Sequence, residues 1–353
     1  MSSDKIKIAI TQGDINGIGY EIIFKALADP RILEICTPVI YGSSKVAAYH
    51  RKALNLPAMS LNNIRSADEA HPKRINMVNC LDDNVRVELG KPTEISGNAA
   101  FLALEKAVED LKKGAADALV TAPINKKVIQ SNQFDFPGHT EYLASSFSGK
   151  PLMLMVSDLL RVGVVTGHIP LSQICSALSS ELIIEKLRIL NQSLKKDFMI
   201  RKPRIAVLGL NPHAGDNGLL GKEEDEIIKP ALEKAKEEGI LAFGPYPADG
   251  LFATENIRKF DAILAMYHDQ GLAPFKALSF STGVNYTAGL PIVRTSPDHG
   301  TAYEITGQNQ ADEQSFLSAI YTAIDVFNYR KNFEELSANP LKTTDVNSLG
   351  ADE

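Results

Sequence analysis

The sequence has 353 residues, which exceeds the usual size of one domain and predicts about two. Hydrophobic residues make up 44% and charged residues 23%, values typical of a globular protein, so a disordered or fibrous chain is excluded. Lysines and arginines number 37 against 43 aspartates and glutamates, and the resulting net charge of −6 argues against a protein built mainly to bind nucleic acid.

Short apolar runs typical of buried strands alternate along the chain with segments of helical periodicity. The predicted strands are Ile6–Thr11, Ala118–Thr121, Val162–Val165, Ile205–Leu210 and Ala262–Met266. The predicted helices are Tyr20–Leu27, Asn98–Lys113, a helix capped by Ser180 and continuing to Leu194, a helix from Glu223 to Gly239 with Pro230 near its first turns, and Phe316–Phe327. This alternation predicts an α/β fold in which helices cover both faces of a mostly parallel sheet.

The cysteines and the apolar runs indicate where in the cell the protein is located. Cys36, Cys80 and Cys175 form no CxxC pair and no plausible disulfide framework, which favours reducing conditions. No apolar run approaches the roughly 18 residues of a membrane-spanning helix, and the charged start of the chain does not fit a signal peptide. We therefore expect a soluble cytoplasmic protein. The polar, aperiodic segment 339–353 is expected to be loosely ordered.

Histidines follow three of the predicted strands. His168, His213 and His268 stand two or three residues beyond the last three of those strands. Because ligands of open α/β sheets bind beyond the carboxyl ends of strands, these side chains could converge. A single histidine there more often caps a strand by hydrogen bonding, but three imidazoles with an open position are typical of a catalytic metal site. Three aspartates in nearby loops are candidate bases or partners of the ligands: Asp216, Asp249 and Asp269.

Two further features are candidates for anion binding. The Gly-rich turn Gly13–Gly19 joins the first strand to its helix, where backbone N–H groups can hold a phosphate. It matches neither the dinucleotide-binding nor the Walker pattern, and a tight turn that needs positive φ explains it equally well. Lys276, Asn285 and Arg294 could clamp a phosphate or a carboxylate, although each taken separately is typical of an ordinary protein surface.

Longer motifs resemble one known family. They are TAPINK (121–126), PGHTEYLA (137–144), VTGHIPL (165–171), LNPHAGDNG (210–218), GPYPAD (244–249), DAILAMYHDQGL (261–272) and RTSPDHGTAYEITG (294–307). In this order they resemble the 4-hydroxythreonine-4-phosphate dehydrogenases of vitamin B6 (pyridoxine) biosynthesis, and the resemblance extends from about Ile6 to Phe327.

The resemblance implies a fold and an assembly. The fold would be an α/β/α sandwich of the isocitrate/isopropylmalate-dehydrogenase type, with two α/β domains flanking a central cleft. Residues from about 1 to 140 and from about 275 to 353 would form the first domain, and residues from about 141 to 274 the second, dimerising domain. A homodimer would place each active site at the subunit interface.

The resemblance also implies roles for individual residues. A divalent metal, Zn, Mg or Co, would be held by His168, His213 and His268, with His268 reaching in from the partner subunit. Substrate-binding positions would be His139, Thr140, Lys276, Asn285 and Arg294. The loop Asp298, His299, Gly300, Thr301 and Ala302 is similar to the loop with which this superfamily holds the adenosine part of NAD, with NADP as the alternative, which would explain the missing dinucleotide motif.

The implied reaction is NAD-dependent oxidation of 4-phosphohydroxy-L-threonine at carbon 3. The product would be a β-keto acid that loses carbon dioxide to give 3-amino-2-oxopropyl phosphate. The metal would lower the pKa of the carbon-3 hydroxyl as a Lewis acid. The proton acceptor would be Lys276, Asp249 or Asp269.

Three other functions stay open at this point. A paralogous dehydrogenase of 4-phospho-threonate or 4-phospho-erythronate would keep the three histidines. A metal-dependent hydrolase would use the same ligands to activate water. A non-catalytic protein that binds a phosphorylated metabolite would have a degenerate site.

The first loop departs from the family's usual TPG-x-PAGIGP pattern. Its prolines and alanine are replaced by Gln12, Ile15, Asn16 and Tyr20. Gly250 replaces the threonine of the usual PADT motif. We expect these changes to affect cofactor affinity or the fit around the substrate.

Overall fold

The computed structural model describes residues 5–82, 85–131, 134–253, 255–279 and 281–339. The segment 339–353, which we expect to be loosely ordered, lies outside the described residues except for Asn339.

The elements alternate along the chain as the sequence pattern predicts. The strands are β1 (Lys7–Thr11), β2 (Thr37–Gly42), β3 (Leu61–Ile64), β4 (Ile75–Asn79), β5 (Ala118–Thr121), β6 (Leu152–Val156), β7 (Arg161–Val164), β8 (Arg204–Leu208), β9 (Leu241–Tyr246), β10 (Ala262–Ala265), β11 (Val284–Ala288) and β12 (Val293–Pro297). The helices are α1 (Gly19–Ala26), α2 (Ile32–Ile35), α3 (Ser44–Ala53), α4 (Glu94–Lys112), α5 (His139–Phe147), α6 (Ile174–Ala177), α7 (Ser180–Lys196), α8 (Lys229–Glu237), α9 (Ala248–Phe252), α10 (His268–Leu278) and α11 (Gln314–Ser337).

The described strands form one sheet in the order β3-β4-β2-β1-β5-β12-β11-β6-β7-β10-β8-β9. The six strands from β3 to β12 are mutually parallel. The four strands from β7 to β9 are parallel to one another as well. The strands β11 and β6 make the antiparallel pairings that join these two blocks, so the blocks run in opposite directions. The sheet is therefore mostly parallel, as predicted.

Helices bury both faces of the sheet. Along β1, Ile8 and Ile10 belong to one apolar cluster, and Ala9 belongs to another. The first cluster includes side chains of α1 and α11, and the second includes Phe101 and Leu104 of α4. Because successive residues of a strand point to opposite faces, both faces of β1 are covered. This confirms the predicted α/β layering.

Two helix starts differ from the prediction because other side chains form the caps. The helix α4 begins earlier than predicted, since the Thr93 hydroxyl accepts the backbone N–H of Ser96 and closes a capping box. The cap of α7 is Ser179, whose hydroxyl accepts the N–H of Leu182 at 3.1 Å. The prediction of Ser180 as the cap was wrong, because its hydroxyl donates to the carbonyl of Ile227 instead.

The helix predicted from Glu223 to Gly239 forms in two parts. A π-helical turn, Glu224–Ile228, precedes α8, and Pro230 lies in the first turn of α8, where a missing N–H is tolerated. Within the described residues no helix has both the length and the apolar character needed to cross a membrane.

Candidate active site

A cavity of about 200 Å³, which we call the cleft, gathers several of the predicted site residues. Strands β5, β6, β11 and β12, the start of α5 and the loops after β5, β7 and β12 contribute to it. Its lining is Thr121, Ala122, Pro123, Ile124, Lys126, Gly138, His139, Thr140, Glu141, Met153, His168, Asn285, Arg294, Ser296, Pro297, His299 and Gly300.

Arg294 places a buried positive charge at the cleft. The residue lies on β12 and is 3% exposed. Its Nη2 donates to the Thr121 hydroxyl at 2.7 Å, and its Nη1 donates to the Thr287 hydroxyl at 3.2 Å. Burial lowers the pKa of the guanidinium to about 10, so it stays charged at neutral pH. An anionic ligand would compensate this charge.

His139 is the first residue of α5 and a partner of this arginine. Arg294 Nη2 lies 3.2 Å from His139 Nδ1, so Nδ1 is the acceptor and the ring proton resides on Nε2. Burial and the charges of Arg294 and Lys126 hold the pKa of His139 well below its ordinary value. The neutral ring therefore offers an N–H beside Thr140 at a helix N-terminus, an arrangement suited to an oxyanion.

Three buried polar atoms of cleft residues have no hydrogen-bond partner within the described structure. They are Asn285 Oδ1, Arg294 Nε and His299 Nε2. Buried polar atoms are normally paired, and those that are not commonly belong to ligand sites. His299 lies on the predicted cofactor loop, whereas Asn285 and Arg294 are predicted substrate positions. The structure therefore brings to one cavity four of the five predicted substrate positions, including His139 and Thr140, and two residues of the predicted cofactor loop, His299 and Gly300.

Two of the predicted metal ligands, His168 and His268, are neighbours within one chain, whereas the resemblance implied that His268 reaches in from the partner subunit. The ring centroids of His168 and His268 are 5.3 Å apart. His268 Nδ1 lies 2.6 Å from Asp269 Oδ1, which orients the ring and leaves Nε2 free for a ligand. Lys126 Nζ lies 3.2 Å from His168 Nε2. The donor chemistry of the imidazole pair fits a divalent metal of the zinc type.

His213 does not complete a metal site within one chain. Among the described residues no group of three His, Cys, Asp or Glu side chains is placed to hold a metal ion. His213 lies in a turn whose five residues from 213 to 217, Asp216 included, have φ between +44° and +83°. The buried Glu224 carboxylate holds the start of this loop, because it accepts the N–H groups of Leu210 and Asn211 at 2.7 and 2.8 Å.

The candidate proton acceptors do not line the cleft within the described chain. Lys276 Nζ lies 3.0 Å from both the carbonyl and the carboxylate of Asp298. Asp269 contacts His268 and is 79% exposed, and Asp249 is an exposed residue of α9. Asp298, Thr301 and Ala302 of the cofactor loop also lie outside the cleft lining.

The Gly-rich first loop is a tight turn filled by its own side chains. Gly13 has φ +68°, and a Cβ there would lie 2.4 Å from the carbonyl oxygen of Pro123. The Asp14 carboxylate accepts the N–H of Asn16 and the hydroxyls of Ser96 and Tyr303. Because a carboxylate already occupies the turn, the tight-turn interpretation fits and the phosphate interpretation does not.

Three of the four residues by which the first loop departs from the family pattern, Gln12, Asn16 and Tyr20, form hydrogen bonds inside the protein. The Tyr20 hydroxyl donates to Gln12 Oε1 at 2.7 Å and accepts the N–H of Ser43 at 2.9 Å. The Asn16 side chain donates to the carbonyl of Lys91 and accepts the N–H of Glu88. These replacements are therefore satisfied in the core. They do not open the fold.

Sequence reasoning missed two charged residues of the cleft, Lys126 and Glu141. A signal existed for the first, because Lys126 ends the TAPINK motif just beyond the predicted strand Ala118–Thr121. Glu141 stands within PGHTEYLA, next to the predicted Thr140, and its charge favours the charged form of Arg294.

Comparisons with known proteins identify the family of the chain. The family model described as "Pyridoxal phosphate biosynthetic protein PdxA" matches residues 34–323. A 4-hydroxythreonine-4-phosphate dehydrogenase from Bacteroides thetaiotaomicron is 56% identical over 97% of this chain and 94% of its own length. A relative from Oceanobacillus iheyensis, provisionally named D-threonate 4-phosphate dehydrogenase, is 39% identical over 92% of this chain and 98% of its own length.

A solved structure shows the same architecture. The crystal structure of 4-hydroxythreonine-4-phosphate dehydrogenase from Klebsiella pneumoniae superposes with a TM-score of 0.82 at 35% identity, covering 93% of this chain and 99% of that one. The family model and the two relatives match most of the chain, and the seven motifs lie within the matched region. The chain therefore belongs to the 4-hydroxythreonine-4-phosphate dehydrogenase family of pyridoxal phosphate biosynthesis and is an oxidoreductase.

Proposed function

We propose that the protein oxidises 4-phosphohydroxy-L-threonine at carbon 3 with NAD or NADP, in the presence of a divalent metal. The product is a β-keto acid that decarboxylates to 3-amino-2-oxopropyl phosphate. The observation that carries this proposal is the buried, charged Arg294 beside the neutral His139 in a cleft that also holds unpaired polar atoms of Asn285 and His299. Such a cleft suits a small, strongly anionic substrate.

The residues of the cleft would bind and orient that substrate. Arg294 and the N–H of His139, with Thr140 at the N-terminus of α5, suit a phosphate, because helix termini and guanidinium groups both favour this anion. Asn285 contributes an unpaired amide oxygen that can accept a hydroxyl or ammonium proton. Lys276 would join from its ion pair with Asp298.

The loop from Asp298 to Ala302 would hold the nicotinamide cofactor. The carbonyl of Thr301 accepts the N–H of Ile18, and a Cβ on Gly17 would lie 2.9 Å from it, so the first loop supports the cofactor loop directly. The unpaired Nε2 of His299 offers a hydrogen-bonding group there. Burial raises the pKa of the Asp298 carboxyl, while Lys276 opposes this shift.

The metal, Zn, Mg or Co, would be held by His168 and His268 together with His213. It would supply Lewis-acid polarisation of the carbon-3 hydroxyl. Because His168 and His268 lie together in one chain while His213 stays apart, we propose that a homodimer completes the ligand set across the subunit interface. The proton acceptor would be Lys276, Asp249 or Asp269, of which Asp269 contacts a proposed ligand.

The wider organisation follows the same proposal. We propose a first domain of about residues 1–140 plus 275–353 and a second of about 141–274, supported by the two parallel blocks of opposite direction in the sheet. We also propose a cytoplasmic location, which the three free cysteines support. The family's dehydrogenase names give no support to the hydrolase and non-catalytic alternatives.

The alternative that a specific observation favours is oxidation of 4-phospho-D-threonate. The relative from Oceanobacillus iheyensis carries that name provisionally. This substrate would use the same phosphate and carboxylate contacts and would replace the amine by a hydroxyl.

One experiment separates the two substrates. NADH appearance is measured with 4-phosphohydroxy-L-threonine and with 4-phospho-D-threonate, each with and without a metal chelator. We expect turnover of the amino substrate that the chelator abolishes and added metal restores. Turnover of the threonate alone would assign the protein to the alternative, and NADH from neither compound would contradict both. Turnover that the chelator leaves unchanged would contradict the metal.

A further inference from the structure

The cofactor loop, residues 298–302, is followed directly by a tyrosine that contacts the first loop of the chain. Tyr303 is partly buried, and its hydroxyl donates to Asp14 Oδ2 at 2.6 Å, although the two residues are 289 positions apart in the sequence. Two residues earlier, the carbonyl of Thr301 accepts the N–H of Ile18 at 3.1 Å. Two hydrogen bonds therefore hold the end of the cofactor loop against the first loop.

The Asp14 carboxylate depends on hydrogen bonds for its charge. The residue is 1% exposed, and within the described residues it makes no ion pair. Besides Tyr303, the N–H of Asn16 and the hydroxyl of Ser96 donate to it at 2.8 and 3.0 Å. Burial raises the pKa of this carboxyl, and the hydrogen bond from Tyr303 is the largest effect that opposes the rise. The contact is therefore a charge-assisted hydrogen bond, the stronger kind.

Asp14 also connects the cofactor loop to another wall of the cleft. Its backbone N–H donates to the carbonyl of Pro123 at 2.9 Å, and Pro123 lines the cleft. The cofactor loop lines the cleft with Gly300 and with His299, whose buried Nε2 has no partner within the described residues. The contact between Asp14 and Tyr303 therefore fixes the position of the cofactor loop relative to the loop after β5.

The backbone of the cofactor loop is strained at its last residue. Ala302 has φ +44° and ψ 56°, in the left-handed region that non-glycine residues disfavour. The hydrogen bonds of Thr301 and Tyr303 lie on the two sides of this residue. A strained residue keeps its conformation only where the surrounding structure holds it. We therefore expect the loop to become mobile when one of the two hydrogen bonds is removed.

We propose that Tyr303 is a positioning residue for the nicotinamide cofactor, whose hydroxyl, bound to Asp14, keeps the cofactor loop in the conformation that binds NAD or NADP. This inference rests on the proposed function, which assigns residues 298–302 to the cofactor. The tyrosine is not among the residues that line the cleft, so it acts through His299 and Gly300. A loop that is already ordered costs less free energy on binding than a mobile loop does.

The test removes the hydroxyl and, separately, the charge of its acceptor. Tyr303→Phe keeps the ring, and Asp14→Asn keeps the size of the acceptor side chain. Tyr49→Phe is the matched control, since Tyr49 is 46% exposed on α3 and does not line the cleft. Calorimetry measures the binding of NADH and of NADPH to each variant without substrate. Steady-state kinetics measure kcat and the KM values of the cofactor and of 4-phosphohydroxy-L-threonine, and thermal denaturation measures Tm.

We expect Tyr303→Phe to raise the Kd of the reduced cofactor and the KM of the oxidised cofactor about 10-fold, because the loop must then be ordered on binding. The values of kcat and of KM for the phosphorylated substrate should change less than about threefold, since Arg294 and His139 keep their contacts. Asp14→Asn should weaken cofactor binding as well, and adding Tyr303→Phe to it should weaken binding little further, because the two residues form one contact. Tyr49→Phe should behave as the wild type.

Cofactor affinity in Tyr303→Phe equal to that of the wild type would overturn the inference and leave the proposed function intact. An equal rise in the KM of the phosphorylated substrate, together with a lower Tm, would show a general loss of structure and would overturn the positioning role. Failure of the wild type itself to bind either cofactor and to form NADH would contradict the proposed function, and the inference with it.

Discussion

Arg294 carries a charge inside the protein that the folded chain leaves only partly compensated. Thr121, Thr287 and His139 accept from its terminal nitrogens, and its Nε has no partner within the described structure. A buried guanidinium without a contacting carboxylate costs stability, and an anionic ligand recovers that free energy on binding. Arg294 therefore holds a positive charge in position for an anion before the anion binds.

The change Arg294→Met tests this interpretation. We expect kcat/KM for the phosphorylated substrate to fall by a factor equivalent to about 1.5–3 kcal/mol, mainly through a higher KM, because a charge-assisted contact is lost. Far-UV circular dichroism checks that the variant folds. Arg188→Met, at a half-exposed arginine that pairs with Glu238 on the surface, serves as the control. An unchanged KM would remove Arg294 from the substrate site.

The loop that contains His213 adopts a backbone conformation that non-glycine residues disfavour. Non-glycine residues in the left-handed region each cost roughly 1–2 kcal/mol, and the turn 213–217 contains four of them in succession around Gly215. Glu224 offsets this cost from the neighbouring π-helical turn, since its carboxylate also accepts Asn211 Nδ2 at 3.0 Å. One buried carboxylate therefore maintains the loop.

We expect Glu224→Ala to lower the free energy of unfolding by about 3 kcal/mol, because two backbone N–H groups and one side-chain amide lose their acceptor. Glu224→Gln should lose less, since its amide oxygen still accepts the N–H groups of Leu210 and Asn211. Urea denaturation measures both variants. The exposed Glu226→Ala, in the same π-helical turn, should stay within about 0.5 kcal/mol of the wild type. A comparable loss of unfolding free energy in all three variants would contradict the stabilising role of the Glu224 carboxylate.

The sequence predicted five of the described strands, all with a strong apolar pattern, although two other apolar strands, β2 and β6, were missed. The strand Ala118–Thr121 is buried along its whole length and was predicted with its observed ends. The strands β11 and β12 were not predicted, because Asn285, Thr287 and Arg294 interrupt their apolar pattern with the polar side chains that build the cleft. In these two strands, polar side chains that build the cleft replace some of the apolar residues by which a buried strand is recognised in a sequence.

The site was also predicted only in part. The resemblance placed His139, Thr140, Asn285 and Arg294 at substrate positions, and the structure gathers these four in one cavity. The left-handed turn around His213 could not be predicted, since its conformation depends on Glu224 and not on glycines at each position. The separation of His213 from the other two histidines likewise depends on the tertiary arrangement.

For the molecule as a whole, buried histidines link stability to pH. Burial is the largest cause that lowers the pKa of His50, His139 and His299 below the ordinary value. Because the unfolded chain binds these protons more readily, their contribution is fully present above about pH 6.5 and is lost as the pH falls toward the lowered values. Each such histidine changes the free energy of unfolding by at most about 1.4 kcal/mol per pH unit.

We expect Tm to decrease between pH 6.5 and pH 5.5, a range in which ordinary carboxylates hardly titrate. His50→Gln should flatten this decrease, because His50 is buried and its Nε2 lies 2.7 Å from the carbonyl oxygen of Ile15, a contact that a glutamine amide can supply without titrating. Differential scanning calorimetry at the two pH values measures it. An equal slope in His50→Gln and in the exposed control His71→Gln would contradict this assignment.

The position of β12 in the sheet has a consequence for how the chain is made in the cell. β12 lies between β5 and β11, and α11 covers these three strands and contacts α1. A ribosome releases residues 118–121 long before residues 284–337. The edge of β5 and one face of the sheet therefore stay uncovered until β11, β12 and α11 have been synthesised. An unpaired edge beside apolar surface invites pairing with other chains. Folding of this protein therefore finishes late in its synthesis, and the nascent chain needs protection from aggregation until then.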